Sequence, residues 1–166
     1  MMNTNKTNVI LRRATENDID TLIKYRLLFL KESYGVPSKE LEARLLISLR
    51  QYFVRSLKDG IYIAWIAEYE NRPVGFSGMV IREQPGNFDL PTGRSGYILN
   101  IFTLKEFRKK GIASLLMQKL IEEGRYIKLD RLELRATIDG EPIYRKIGFI
   151  EPHDLSMELD LRNTND

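Results

Sequence analysis

The stretch NIFTLKEFRKKGIASLLMQKLIEEGR, residues 100–125, predicts the end of a buried strand, a short basic turn and an amphipathic helix. Polar side chains occupy one face of that helix, and the apolar residues of the other face recur at helical spacing, at Ile112, Leu115, Leu116 and Leu120. Gly124 offers the helix a left-handed stop. We therefore expect a fold arranged around one strand–turn–helix unit.

The turn has the chemistry of an anion site. The first backbone N–H groups of a helix lack intrahelical partners and lie at the positive end of the helix dipole. Gly111 and Ala113 leave the backbone open to close approach. Positive charge around the same point comes from Arg108, Lys109 and Lys110. The expected ligand is a phosphate or a pyrophosphate.

Two patterns in order resemble the GNAT superfamily of N-acetyltransferases. Arg108-x-x-Gly111-x-Ala113 is similar to the loop that holds the pyrophosphate of acetyl-CoA in that family, written Arg/Gln-x-x-Gly-x-Gly/Ala. Residues 142–149, PIYRKIGF, are similar to the family's second signature, a helix that carries a tyrosine and ends at Gly-Phe. The separation of the two patterns leaves room for one helix and one strand. The likeness covers the chain from about Val9 to Leu161.

Length and composition indicate one ordinary globular domain. The chain has 166 residues, 43% hydrophobic and 30% charged, as is usual for a soluble protein. We expect a flexible N-terminus over residues 1–8 and an N-acetyltransferase-like domain over 9–162. No apolar run approaches the ~20 residues that a membrane-spanning helix needs, and no apolar signal region begins the chain. A cytoplasmic protein without a membrane partner is therefore predicted.

Several kinds of site are disfavoured by residue counts. The chain has no cysteine and one histidine, His153, so neither a thiolate nucleophile, a disulfide nor a histidine-cluster metal site is expected. The net charge is +3, from 26 basic and 23 acidic residues, and the basic residues do not gather with exposed aromatics. No nucleic-acid partner is predicted, and the expected oligomeric state is a monomer or a homodimer.

Hydrophobic periodicity places the other elements. Helices are expected after the capping box at Thr15, after Ser38, and from Asp139 to Lys146. Strands are expected over 9–11, 61–67, 74–81, 97–103, 131–136 and 157–161. The resemblance implies an α/β (α+β) fold in which helices flank a mixed, largely antiparallel twisted sheet. Between two of the strands, Glu83 to Gly96 is either a wall of the acceptor site or a plain flexible connection.

The resemblance also implies a place for the donor. In the resembled fold, the strand that ends at Thr103 diverges from the strand over 131–136, and the pantetheine arm of acetyl-CoA lies in the gap like an added strand. The residues implied for the arm are Ile101, Phe102 and Thr103, through their backbone. The residues implied for the pyrophosphate are Arg108, Lys109, Lys110, Gly111, Ile112 and Ala113.

Tyr144 matches the family tyrosine, and the resemblance implies that it protonates or hydrogen-bonds the departing sulfur. A phenol with the ordinary pKa of about 10 is protonated at neutral pH and able to donate. Family members often use a glutamate on the central strand as the base, whereas this strand offers Asn100. We therefore expect a water-mediated base. The sequence does not rank the groups available elsewhere, which are Glu68, Glu83, Asp89, Glu133 and His153.

The implied activity is acetyl-CoA-dependent N-acetyl transfer, directly to a primary amine of a small molecule or a protein, without a metal. The alternative is a non-catalytic acyl-CoA-binding sensor or regulatory module. Retention of Tyr144 favours the enzyme.

Overall fold

The computed structural model describes residues 8–138, 140–153 and 156–162. The chain forms two compact units, residues 1–135 and 136–166. The first unit contains five strands and three α-helices in its described part, in the order β1 (Val9–Arg13), α1 (Ile19–Tyr34), α2 (Lys39–Lys58), β2 (Tyr62–Tyr69), β3 (Arg72–Glu83), β4 (Arg94–Thr103), α3 (Ile112–Tyr126) and β5 (Arg131–Leu134). Short 3-10 turns, Glu16–Asp18 and Lys105–Phe107, precede α1 and follow β4.

The five strands form one sheet in sequence order. Strands β1 to β4 pair antiparallel with their neighbours, and β5 pairs parallel with β4. Glu70 and Asn71, with φ of 49° and 58°, make the tight turn between β2 and β3, as suits the twist of a two-residue hairpin. The predicted mixed, largely antiparallel α/β sheet is confirmed.

Helices cover both faces of the sheet. Successive side chains of a strand point to opposite faces. Along β2, Ala64 and Ile66 share a core with residues of α1 and α2, whereas Ala67 shares another with Ile112 and Leu116 of α3. The pair α1 and α2 therefore lies on one face and α3 on the other.

The predicted helix starts before α1 and α2 are confirmed. The Thr15 hydroxyl accepts from the N–H of Asn17, and the Asp18 carboxylate accepts from the N–H of Thr15, which completes a capping box. Ser38 caps α2 by accepting from the N–H of Leu41. No helix in the described part of the chain is long and apolar enough to cross a membrane.

Gly124 does not end α3, which is a correction to the sequence prediction. The helix continues to Tyr126 and is closed by Ile127. Gly124 is buried inside it, where a Cβ would lie 3.1 Å from Cδ2 of Leu132 in β5. A side chain here would require Leu132 to shift by a few tenths of an ångström, so the close packing of α3 against β5 favours glycine.

The predicted loop from Glu83 to Gly96 is shorter than expected, since β3 runs through Glu83 and β4 begins at Arg94. The remaining residues, 84–93, form a closed turn in which the N–H of Gln84 donates to the carbonyl of Gly93 at 2.9 Å. Asp130, just before β5, accepts from the backbone and hydroxyl of Thr92. These contacts hold the loop at the opposite end of β4 from Thr103. Its role as an acceptor wall stays a prediction.

The second unit contains α4, Glu141–Ile147, which Gly148 ends with φ of 113° as predicted. The predicted last strand is wrong. Residues 156–162 form no strand among the described residues, and three of their side chains are 80 to 90% exposed, Met157, Leu159 and Leu161. An alternating pattern tells which side chains would share a face, but it does not supply a partner edge. Residues 1–7, in the predicted flexible terminus, and Asp139, at the predicted helix start, lie outside the described residues.

Candidate active site

The second half of β4 has one free edge. Strand β5 pairs with β4 only from Ser95 to Ile98. At Leu99 the register with β3 shifts by one residue, as at a β-bulge. Within the described part of the chain, residues 100–103 then pair with β3 alone, and Leu99 is left without a partner in the register. The edge that β5 leaves uncovered is where an extended ligand is able to add as a strand.

The register shows which backbone groups face that free edge. Opposed residues of antiparallel strands alternate between hydrogen-bonded and non-hydrogen-bonded pairs. The N–H of Leu104 donates to the β3 backbone at 2.9 Å, so Thr103 and Ile101 occupy non-hydrogen-bonded positions. Their N–H and C=O groups therefore point away from β3. Phe102 differs from the expectation, because its own backbone groups point to β3 and are used in the sheet.

The turn after β4 leads into an uncapped helix start. Gly111 is the residue before α3, with φ of 79°, and no side chain caps the helix there. A Cβ at Gly111 would meet no heavy atom within 4 Å, so open space adjoins the first N–H groups of α3. The hydroxyl of Thr103, at the end of β4, is buried without a hydrogen-bond partner among the described residues. These features fit a pyrophosphate and its attached chain.

The guanidinium of Arg108 is bound by other groups of the protein. Its Nε donates to the carbonyl of Thr103 at 2.9 Å, and its two Nη atoms contact the Glu32 carboxylate at 2.6 and 2.8 Å. This pair raises the pKa of Arg108 and lowers that of Glu32. Arg108 thus ties the turn to β4 and to α1. Its guanidinium charge, which the sequence placed at the anion site, is paired with a carboxylate.

The two lysines of the turn, Lys109 and Lys110, differ in backbone conformation and in side-chain contacts. Lys109 is exposed and has φ of 60°, a left-handed conformation that is unfavourable for a residue with a side chain. The ammonium group of Lys110 lies 5.0 Å from the ring centroid of Phe107. The turn therefore keeps positive charge close to the start of α3.

Asn100, where the resembled family often has a glutamate, is fully buried on the face covered by α1 and α2. Its Oδ1 accepts from Nη1 of Arg26 in α1, and its Nδ2 lies 3.3 Å from the hydroxyl of Tyr62 in β2. Burial raises the pKa of Tyr62 to about 12 and lowers that of Arg26. At this point β4 thus offers an amide and α1 offers a cation, and β4 itself contains no carboxylate.

Tyr144 lies in the second unit, on α4. Its ring makes an edge-on contact with Phe149, with 6.1 Å between centroids. Burial raises the pKa of Tyr144 above its ordinary value. The phenol is therefore protonated at neutral pH, as a proton donor requires.

The carboxylates that the sequence could not rank are each paired with an arginine. The pairs are Glu68 with Arg12 at 2.9 Å, Glu83 with Arg94 at 3.4 Å, Asp89 with Arg131 at 3.1 Å and Glu133 with Arg131 at 3.2 Å. His153 is exposed. Over the described ranges, no group of three or more His, Cys, Asp or Glu side chains is placed to hold a metal ion.

Sequence reasoning missed two residues of α1 that contact this region. Glu32 is 76 residues from Arg108, and Arg26 is 74 residues from Asn100. Both appear in the sequence as ordinary polar positions of an amphipathic helix. No local pattern identifies their partners, because each contact depends on how α1 packs against β4.

Known proteins are similar to this chain over most of its length. The acetyltransferase (GNAT) family matches residues 26–149. Proteins named N-alpha-acetyltransferase from Saccharolobus solfataricus and Sulfolobus acidocaldarius are each 28% identical to it; the alignments cover 84% and 88% of this chain and 78% and 82% of the relatives.

Solved structures show the same fold. A crystal structure of a predicted acetyltransferase with acetyl-CoA from Clostridium acetobutylicum is 27% identical, with a TM-score of 0.85 over 95% of this chain and 99% of that one. The fold also matches a GCN5-related N-acetyltransferase from Ralstonia eutropha, with a TM-score of 0.80 and 24% identity over 92% and 99% of the two chains. The chain belongs to the acetyltransferase (GNAT) family and is an N-acetyltransferase.

Proposed function

We propose that this protein moves the acetyl group of acetyl-CoA directly to a primary amine of a small molecule or a protein. The observation that carries the proposal is the continuity of two features of the first unit. The free edge of β4 at Ile101 and Thr103 leads into the open, uncapped start of α3 after Gly111. An extended amide-containing arm fits the first feature, and a pyrophosphate fits the second.

The proposed binding groups are mostly backbone groups. Ile101 offers its N–H and C=O groups to the arm and Thr103 offers its N–H, since the Thr103 carbonyl accepts from Arg108. The N–H groups of Ile112 and Ala113 face the phosphates from the helix start. Lys109 and Lys110 add charge, and Arg108 holds the shape of the turn. When bound, acetyl-CoA supplies an acyl group on a good thiol leaving group. The chain's task is to align that group with an amine.

Tyr144 is the proposed proton donor to the departing sulfur. The support is its match to the family tyrosine and the raised pKa that keeps its phenol protonated. Proton transfer by a positioned side chain contributes roughly 10²–10⁴-fold in rate.

The amine must lose a proton before or during attack. We propose that water carries it, because β4 presents Asn100 where a carboxylate base would lie, and the nearby cation is not a base. We also propose that the protein works in the cytoplasm, as a monomer or a homodimer.

The choice of acceptors to test follows from the relatives. Two of them are named N-alpha-acetyltransferase, which puts the α-amine of a polypeptide first in the panel. Small amines, including amino acids and polyamines, come second.

Thermal melting with and without acetyl-CoA, followed by thiol release with the amine panel, tests the proposal. Acetyl-CoA at about 100 times its dissociation constant stabilises the folded protein by ~2.7 kcal/mol. That raises the melting temperature by roughly 2–4 °C per kcal/mol for a chain of this size. Absence of a shift would rule out both the enzyme and the sensor. A shift without transfer to any amine would favour the non-catalytic sensor.

A further inference from the structure

A buried polar cluster lies on the α1 and α2 face of the sheet. Arg26 donates from Nη1 to Oδ1 of Asn100, and Asn100 reaches Tyr62 through its amide nitrogen at 3.3 Å. Asn100 is wholly buried and Tyr62 is 2% exposed, whereas Arg26 is only partly buried, so Arg26 is the member of the cluster that solvent reaches. No step of the proposed reaction uses the guanidinium of Arg26.

The described residues around Arg26 supply no counter-charge in an ion pair. Its electrostatic neighbours are tyrosines, Tyr34, Tyr52 and Tyr62, and the last two are held neutral by burial. Among the residues that the structure describes, no carboxylate forms an ion pair with Arg26, whereas Arg50 and Arg108 each pair with one carboxylate and Arg12 with two. A partly buried cation without an anion is costly. This arrangement is suited to an anion that arrives from outside.

The position of Arg26 relates it to the reaction. Asn100, its partner, directly precedes Ile101, the first residue of the free backbone edge proposed to hold the donor's arm. Asn100 also follows the bulge residue, Leu99, at which β4 parts from β5. The guanidinium therefore lies beside the fork of the two strands, on the α1 and α2 face of the sheet.

We propose that Arg26 binds a carboxylate of the amine acceptor, so that preferred acceptors are amines that carry a carboxylate close by. The inference rests on the proposed function and names the acceptor class for the same site. The planar guanidinium has five N–H donors in a fixed fork, and within the described part of the chain one of them is used on Asn100. A carboxylate can accept two of the others side by side. The carboxylate comes either from a free amino acid or from an acidic first residue of a polypeptide.

Matched acceptor pairs test the proposal and separate the two sources. The first pair is alanine and alaninamide. The second is a C-terminally amidated peptide beginning with Asp and the same peptide beginning with Asn. We measure kcat/KM for each pair with the wild type, Arg26→Gln and Arg26→Lys. In at least one pair we expect the wild type to prefer the carboxylate by about 10- to 100-fold, the value of a charged hydrogen bond.

The variants show whether Arg26 causes that preference. Arg26→Gln is expected to lose it through a higher KM, and Arg26→Lys to keep a part of it. Arg50→Gln is the matched control, because Arg50 is an exposed arginine of α2 whose partner is Asp20. It is expected to keep the wild-type ratio. If the wild type turns over both members of each pair equally, the proposal is wrong while the proposed function stands.

Binding measurements keep the proposal testable if turnover is absent. N-acetylalanine and N-acetylalaninamide are titrated into the wild type and Arg26→Gln. Tighter binding of the carboxylate by the wild type alone would support the Arg26 site even if the acetyltransferase proposal failed. Equal binding of the two by the wild type would overturn it. A weaker acetyl-CoA affinity in Arg26→Gln, without a change in acceptor preference, would show that Arg26 binds acetyl-CoA. That result would also overturn the proposal.

Discussion

The Nε of Arg108 donates to the carbonyl of Thr103 at 2.9 Å, across the turn that joins β4 to α3. The other end of the same guanidinium is held by Glu32. Arg108 thus stabilises the conformation of the turn. Its charge is already paired, so its main contribution to donor binding is expected to be the shape of the backbone.

Arg108→Gln and Arg108→Met separate the effect of the hydrogen bond to Thr103 from the effect of the charge. The side-chain nitrogen of glutamine lies as many bonds from Cα as Nε of arginine, so it can still donate to Thr103. We expect Arg108→Gln to keep the KM for acetyl-CoA within about 3-fold, and Arg108→Met, which has no donor, to raise it by about 10-fold, the effect of one hydrogen bond. Initial rates over a range of acetyl-CoA concentrations measure this. Equal impairment of both variants would show that the charge matters instead.

The Asp18 carboxylate contributes to the free energy of unfolding, and this contribution is lost in acid. Its carboxylate takes two bonds from Arg12, at 2.8 and 2.9 Å, and one from the N–H of Thr15. These contacts lower the pKa of Asp18, so its contribution is complete above the unfolded pKa of about 4 and is lost as pH falls through the folded pKa. We expect Asp18→Asn to destabilise by about 1–2 kcal/mol at pH 7, since Arg12 is partly exposed and keeps Glu68.

Urea unfolding of the wild type and Asp18→Asn at several pH values checks this expectation. The difference in unfolding free energy should shrink below pH 4. The partner of an exposed pair, Asp20, provides the control, because Asp20→Asn is expected to change little at any pH. A difference for Asp18→Asn that persists unchanged at low pH would contradict an electrostatic cause.

Tyr144→Phe removes the proposed proton donor while keeping the ring against Phe149. We expect kcat to fall by roughly 10²–10⁴-fold. Because burial raises the pKa of Tyr144, the wild-type rate should not fall from loss of this proton until the pH exceeds the ordinary value of about 10. Steady-state rates from pH 7 to 10.5 measure both effects. Tyr126→Phe, at an exposed tyrosine, is the control. Unchanged turnover in a folded Tyr144→Phe would remove the acid role.

The elements that local chemistry specifies were predictable from the sequence. Capping at Thr15 and Ser38, the strand–turn–helix unit and the helix stop at Gly148 each depend on a few neighbouring residues. The prediction for Gly124 was wrong because the sequence does not distinguish a glycine that ends a helix from a glycine that permits close packing. The side chain that limits the space beside Gly124 is Leu132, which lies on β5.

The parts that were not predictable depend on contacts between distant segments. The last strand was expected from alternation alone, which does not reveal whether a partner edge exists. Arg26 contacts Asn100 in β4, and Glu32 contacts Arg108 in the turn after β4, only because α1 packs beside that strand. The use of the Phe102 backbone within the sheet follows from the register, which one strand's sequence does not specify.

A substitution at Gly111 tests the proposed donor site. Its φ of 79° is unfavourable for alanine by about 1–2 kcal/mol, and the new methyl group would occupy the open space before α3. Gly60, with φ of 69° and equally open surroundings, follows α2, away from this turn. Gly60→Ala therefore controls for backbone strain. We expect both variants to lose similar stability.

Calorimetric titration of acetyl-CoA into the wild type, Gly111→Ala and Gly60→Ala measures directly whether this turn holds the donor. We expect the wild type and Gly60→Ala to bind with the same affinity and Gly111→Ala to bind at least about 10-fold more weakly, a loss of 1.4 kcal/mol or more. Equal affinity of all three proteins, or no binding by the wild type, would contradict a donor site built on the end of β4 and the start of α3.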